Sequence, residues 1–570
     1  MTATLTEAPP RAKVEPYRLS RESRRVFAGL MLGMLVASVS QTIVGPAMPR
    51  IVAELGGMDH YSWVATAAML VSAITVPIVG KLSDLYGRRG FYLAGLLVFM
   101  VGSVVSGFAG SFWILVLGRA IQGLGMGTIM PLSQTIIGDI IPARQRGKYQ
   151  GLMGAVFGVT SVAGPLAGGF ITDHWGWRWL FFAAVPIGLI ATVVIARFLH
   201  LPHERRNARI DYRGIATLTV ALVSLLLATS LGGTTYAWGS AEILGLYAVG
   251  AVALVAFVLV ELRAEEPVLP LRLFRSSVFT ASNIASFAVA MVMFGSIIYI
   301  PVYAQGVLGV DATNSGLILM PLMLGLIVMG ILSGLVITRT GRYKGIMVGG
   351  VVIMGAGLYL LTRLTWTSTQ TQLTIAMVVL GVGLGMAMQQ YTLVVQNAVE
   401  RADLGVATAS TQFFRNVGST VGIAVFGTVM TSGLAAAIGS HLPAEVAARM
   451  PAGSADAGSV LDPSALAALP PVVADAVRQG LADQLHEVFV IALPLVVVVL
   501  LATIAIKDLP LRETAHAPVQ AAGEAGHELL DSLAQSVPDE TTGDHAGTGP
   551  AAAPDGTASD SGRTRSAARV

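Results

Sequence analysis

Apolar runs of roughly 20 residues recur about fourteen times along this chain, each long enough to cross the hydrocarbon core of a bilayer. They lie near 26–46, 60–80, 91–109, 112–134, 148–172, 178–199, 213–231, 243–262, 280–304, 313–337, 345–363, 372–395, 405–432 and 486–506. Lipid offers no partner to backbone N–H and C=O groups, so only helices and closed barrels span a membrane. The runs lack the alternation of barrel strands, and an all-α polytopic membrane protein is expected. Of the 570 residues only 12% are charged and 54% are hydrophobic, with mean hydropathy +0.70, whereas a soluble domain is about a quarter charged. The bilayer is therefore the solvent of this chain.

Charge placement sets an orientation. One set of connections carries Arg24 and Arg25, then Lys81, Arg88 and Arg89, then Arg144, Arg146 and Lys148, then Arg205, Arg206 and Arg209, then Arg272 and Arg275, then Arg339, Arg342 and Lys344. The alternate connections carry few basic residues, with Arg449 and Arg478 diluted in one long loop. The rule that Lys and Arg stay inside then puts both termini in the cytoplasm of a cell-membrane protein, in agreement with an even number of spans. The sequence pI of 9.1 reflects these loops; no basic stripe interleaved with aromatics exists, and no nucleic-acid partner is expected. The first run is too long for a signal-peptide core and lacks a small-residue cleavage site, so it reads as a retained helix. The absence of cysteine excludes disulfides, thiol catalysis and Cys-ligated metals.

A short glycine-framed loop occurs twice between such runs, as Gly80-Lys-Leu-Ser-Asp84-Leu-Tyr-Gly87-Arg88-Arg89 and as Gly334-Leu-Val-Ile-Thr-Arg-Thr-Gly341-Arg342. The copies lie 254 positions apart, each between the second and third helix of a set of six. Two similar halves in a membrane point to a transporter working by alternating access. The expected plan is a cytoplasmic segment 1–25, a six-helix bundle 26–200, a linker 201–279 with two extra central helices, a second six-helix bundle 280–506 and a tail 507–570. Within the second bundle an Ala- and Pro-rich outer loop near 435–484 includes the weakly amphipathic piece Val472–Gln484, which fits either a surface-lying helix or a mobile loop. From Glu513 to Val570 the composition cannot bury enough apolar area to order itself, and disorder is expected.

Several polar residues stand out against this background. Asp84, Arg88 and Arg89 are close enough to pair with each other and with helix ends, and Asp139 stands at the end of the fourth run, which together suggest a switchable gate. Arg119 and Gln122 lie inside an apolar run, where an arginine costs about 2.5 to 3.5 kcal/mol on insertion scales and must face a cavity or a partner. The glycines after Gln122 follow no strand, so they do not mark a dinucleotide site. Gly164, Pro165, Gly168 and Gly169 permit close helix packing and a bend in the fifth helix. Arg415 and Asn416 are the polar pair of the thirteenth run.

The loop residues Gly80, Asp84, Gly87, Arg88 and Arg89 resemble the signature of the major facilitator superfamily. Fourteen spans, the stretch Trp177-Arg178-Trp179-Leu180-Phe181, the entry Asp211-Tyr-Arg-Gly214 and Phe414-Arg415-Asn416-Val417-Gly418 narrow the resemblance to its fourteen-helix drug:proton antiporters, from about Arg25 to Lys507. That resemblance implies proton coupling at Arg119 and Gln122, and export rather than uptake from the Gly164-Pro165-x-x-Gly168-Gly169 run. One departure matters, because the family's first helix carries an acid where this chain has Ser40, followed by Gln41. A serine hydroxyl hydrogen-bonds but does not titrate near neutral pH. Ser40, Gln41, Arg415 and Asn416 are the expected substrate-cavity residues.

The expected activity is proton-coupled efflux of amphipathic small molecules such as drugs across the cell membrane, with protons, substrate and bilayer as partners. No ATP-binding glycine loop, cofactor motif or metal site occurs, and no His and Asp cluster suggests an enzyme. Export of a specific neutral or anionic metabolite or a lipid is the alternative that the acid-free first helix supports, and a non-transporting receptor is the remaining one.

Overall fold

The computed structural model describes residues 20–57, 60, 63–201, 210–233, 235–310, 315–442 and 470–512. Arg205, Arg206, Arg209, Asp311, Arg449 and the tail from Glu513 onward lie outside the described residues, as do residues 1–19 and 443–469 of the two expected flanking and outer segments. Regular structure among the described residues is helical, apart from one isolated bridge between Gly232 and Tyr236. Fourteen helices among them are long and apolar enough to cross a membrane.

We label these α1 (Arg21–Thr42), α2 (Trp63–Tyr86), α3 (Arg88–Gly107), α4 (Phe112–Ile140), α5 (Ala143–His174), α6 (Ala184–Phe198), α7 (Tyr212–Leu231), α8 (Ala241–Glu261), α9 (Ser277–Gly306), α10 (Met320–Thr340), α11 (Lys344–Thr362), α12 (Gln370–Ala398), α13 (Leu404–His441) and α14 (Pro471–Ala505). Their starts follow local chemistry. Ser111, Asp211, Ser240 and Ser276 each accept the backbone N–H three residues on, and Thr369 with Gln372 forms a reciprocal capping box. The repeated loop turns on its second glycine, since Gly87 (φ 98°) and Gly341 (φ 71°) both adopt the left-handed region that side chains avoid.

The first glycine of each copy has a different task. Gly80 on α2 packs against Ala409 and Gly405 of α13, and Gly334 on α10 packs against the backbone of Gly147 on α5. In both places a Cβ would collide with the opposite helix. One turn away Gly330 and Gly151 repeat the close approach between α10 and α5. Without a hydrophobic drive in lipid, such small-residue seams are what lets helices associate closely. The repeated glycine is thus a contact point between the first six and last six helices, on the face that also carries the α2–α3 and α10–α11 connections. We call it the loop face.

Helices α7 and α8 pair with each other, and α7 also packs on α2 and α13. The outer segment differs from the sequence expectation. Helix α14 begins at Pro471, so the piece Val472–Gln484 continues into the span and packs against an α13 that itself runs to His441. Gly433 lies against Gln484 and Gly480 against Ile438, while the Gln484 amide donates to the Val429 carbonyl at 2.6 Å and His441 meets Asp483 at 2.6 Å. At about 1.5 Å per residue the 38 residues of α13 reach about 57 Å, nearly twice the hydrocarbon thickness. A hydropathy window misses this extension because its packing face is made of Gly and Ala beside polar side chains.

Gly334→Val should lower the midpoint of thermal unfolding in detergent by several degrees, as overpacking costs about 1 to 3 kcal/mol. Gly345→Ala, at an exposed helical position with nothing within 4 Å, should leave the midpoint unchanged or slightly raised. Fluorescence-detected melting of the two variants checks the pair.

Candidate functional site

On the loop face the last turn of α2 brings Asp84 beside the first residue of α3, and the end of α4 brings in Asp139. The Arg88 guanidinium sits between them, with Nη1 2.6 Å from Asp84 Oδ1 and Nε donating to Asp139 Oδ2. All three side chains are at least nine-tenths buried, with exposures of 4%, 9% and 5%. Asp84 also crosses to the last six helices. Its Oδ1 accepts the Gly405 N–H at 3.1 Å and its Oδ2 the Val406 N–H at 2.9 Å. These are among the free N–H groups of the first turn of α13, where the helix dipole favours a negative charge.

Arg89, the other arginine of the loop, points elsewhere and donates to the Ala196 carbonyl at the end of α6 at 2.5 Å. Gly138 and Gln134 on α4 extend the contact inward, because the Gln396 amide of α12 donates to the Gln134 carbonyl at 3.0 Å and to Thr408 Oγ1 at 3.1 Å. Among the described residues the second loop copy shows no such network. Thr338, which stands where Asp84 does in the first, hydrogen-bonds back to Gly334 of its own helix at 2.8 Å.

Nearer the opposite face, Arg119 is buried on α4 and ties three helices together. Its Nη1 donates to the Ser40 carbonyl and Ser40 Oγ, both at 3.1 Å, and to Gln122 Oε1 at 2.7 Å; its Nε donates to the Val64 carbonyl at 3.2 Å. Gln122 passes the chain on to Ser103 Oγ at 2.7 Å. The structure thus brings Ser40, Arg119 and Gln122 together, and every acceptor that Arg119 uses there is neutral. Gln41, one residue on, is half-buried.

The glycine run of α5 lies against the end of α1. Gly164 packs on Thr42 and Gly168 on the Ile43 carbonyl, while Thr42 Oγ1 donates to the Thr160 carbonyl at 3.0 Å. Pro165 lies inside the helix, and Gly169 faces open space. On α13, Arg415 is buried and donates to Thr392 Oγ1 of α12 at 3.4 Å; Asn416 accepts from the Gln412 amide at 3.0 Å. These two residues are not joined to the Ser40–Arg119 network by any hydrogen bond among the described residues.

Sequence reasoning missed the partners across the seam: the Gly405 and Val406 N–H groups, Gln396 with Gln134, and two ion pairs on the connection after α8. There Glu266 meets Lys81 of α2 at 2.5 Å, and Arg272 meets Asp403, just before α13, at 2.8 Å. The start of a predicted helix opposite an intramembrane acid was the one available signal for the first of these. No group of three or more His, Asp or Glu side chains placed to hold a metal occurs among the described residues.

Comparison with known proteins places this geometry. The family model of the Major Facilitator Superfamily matches residues 30–423. The chain is 40% identical to the multidrug transporter protein MdtP of Bacillus subtilis over 414 residues, which cover 72% of this chain and 76% of that one. It is 37% identical to multidrug resistance protein 3 of the same organism over 407 residues, 71% of this chain and 79% of the other. Among solved structures, the human organic anion transporter MFSD10 superposes with a TM-score of 0.56 at 14% identity, covering 84% of this chain and 100% of that one, a likeness of fold alone. With a family match over most of its length and fourteen helices able to cross a membrane among the described residues, the chain is a multi-pass membrane transporter that belongs to the Major Facilitator Superfamily.

Proposed function

We propose that this chain is a proton-coupled exporter of amphipathic small molecules in the cell membrane, with both termini cytoplasmic. Its working halves are taken as the bundles near 26–200 and 280–506, joined by the linker 201–279 that holds α7 and α8. The observation that carries this reading is the carboxylate of Asp84 on the first N–H groups of α13, a charged contact between the halves at the loop face. The names of the B. subtilis relatives support drugs as substrates, and the basic connections on the loop face support its cytoplasmic placement.

In this reading Gly80, Asp84, Gly87, Arg88, Arg89 and Asp139 form the cytoplasmic gate. Hydrogen bonds to a charged group are worth about 1.5 to 3 kcal/mol each, so neutralising Asp84 releases enough to shift a two-state balance by one to two decades per bond. Asp84 and Asp139 share Arg88, which ties the ends of α2 and α4 to the start of α3. Arg119 and Gln122 tune the outer part of the proton path, and the α5 run Gly164, Pro165, Gly168 and Gly169 keeps α1 and α5 sealed against each other. Ser40, Gln41, Arg415 and Asn416 face the transported molecule. One proton entering across 100 mV supplies about 2.3 kcal/mol, equivalent to a gradient of roughly 40-fold.

In proteoliposomes with an imposed pH gradient, uphill efflux of an amphipathic dye should stop when the gradient is collapsed; continued uphill flux would exclude the proton as coupling ion. Asp84→Asn should cut transport at least tenfold at normal expression, and unchanged vesicle flux would remove Asp84 from the gate. Ser40→Asp should give Arg119 an anionic partner and increase extrusion of cationic dyes from cells, a gain that dye-accumulation assays read directly.

A further inference from the structure

The two arginines buried within the spans differ in how far they are satisfied. Arg119 spends its guanidinium on four neutral acceptors, whereas Arg415 has a single hydrogen bond, 3.4 Å to Thr392, among the described residues. Arg415 stands eleven residues into α13, about 16 Å from the loop face and so close to half of an about 30 Å core. No Asp or Glu lies in the middle of α13 or of α2, α4, α9 and α12, which pack against it, and the acids of α14 (Asp475, Asp483 and Glu487) lie in the half of that helix farther from the loop face. An isolated buried cation is costly, and a group kept there at that cost marks a functional place.

A second observation points the same way. Gln389 Oε1 on α12 and both amide atoms of Gln150 on α5 are buried without a partner at about 14 and 10 Å from the same face. Gln389 lies against Gly154, one turn after Gln150, so these amides lie along the seam between α5 and α12, and Gln389 stands one turn from Thr392, the hydrogen-bond partner of Arg415. Buried polar atoms left open cost free energy unless water or a ligand satisfies them. Farther from the loop face, Phe157 of α5 and Phe294 of α9 meet edge to face with centroids 6.5 Å apart, an apolar surface for the body of a bound molecule.

We propose that Arg415 is the recognition point for an anionic head group, with Gln389 and Gln150 as neutral hydrogen-bonding partners, so that the exported amphiphiles carry a carboxylate or sulfonate. This rests on the reading of the chain as an exporter of amphipathic molecules and adds the charge of its substrates. A planar guanidinium fits a carboxylate or sulfonate through paired N–H groups, while a site holding an unneutralised arginine repels a cation.

The test uses the full chain in proteoliposomes with three probes sharing one ring system: pyrenebutyrate, pyrenebutanol and pyrenebutyl-trimethylammonium. Pyrenebutyrate should be transported with kcat/KM at least tenfold above that of the ammonium probe. Arg415→Gln should reduce the pyrenebutyrate-to-pyrenebutanol ratio of kcat/KM tenfold or more, and Arg415→Lys should restore part of it. Thr392→Val, which keeps the charge but frees the guanidinium, should raise the KM for pyrenebutyrate and leave its kcat near wild type. Should Arg415→Gln fold poorly, pyrene-fluorescence binding to Thr392→Val and wild type reads the same preference. Transport of the ammonium and neutral probes in preference to pyrenebutyrate, or an unchanged ratio in Arg415→Gln, overturns the inference while leaving the exporter intact. Transport of none of the three removes the exporter reading itself and the inference with it.

Discussion

One carboxylate at a helix start is the contact on which the rest of the loop face depends. Asp84 satisfies two N–H groups of α13 that have no partner within their own helix, and it does so from the other set of six helices. Arg88 holds the Asp84 carboxylate in place while sharing its guanidinium with Asp139. Around this contact the helices have no room to spare: Gly80 lies against the Ala409 methyl and the Gly405 carbonyl, and Gly334 against the Gly147 backbone. A directional electrostatic contact set inside a close-packed seam is the kind of element that has two discrete arrangements rather than a continuum.

The fold was legible to a large extent because its signal is hydropathy, which depends on long runs and tolerates local irregularity. The turn glycines were legible for a local reason, since Gly87 and Gly341 occupy the same left-handed position in two copies of one loop. The contacts made by Gly80 and Gly334 were not, because nothing in a single helix says which helix, distant in the chain, will lie against it. Asp84 was identifiable as a member of a charge cluster, yet two of its three contacts go to backbone N–H groups that carry no sequence signature. The extension of α13 and α14 escaped because a Gly- and Ala-lined face between polar side chains reads as loop.

The interior shows the same contrast between residue type and partner. Arg119 was recognisable as an anomaly, and the structure gives it Ser40, Gln122 and the Val64 carbonyl in place of an acid. Arg415 was recognisable too, but its scarcity of partners became visible only when α12 was seen beside it. In the proposed cycle the carboxylate gate therefore lies at the loop face and Arg415, with few partners, lies at mid-depth. That separation puts the proposed gate residue Asp84 on α2 and the proposed recognition residue Arg415 on α13, whose first turn Asp84 contacts.

The central claim is that the Asp84 contact holds the loop face closed. The chain contains no cysteine, so spin labels at Gly90→Cys and Gly345→Cys, both exposed starts of helices with nothing within 4 Å, report the distance between α3 and α11 directly. Double electron–electron resonance in nanodiscs should give one short-distance population in the otherwise unchanged protein and a second, longer one when Asp84→Asn is added. An identical distance distribution with and without Asp84→Asn would contradict the account.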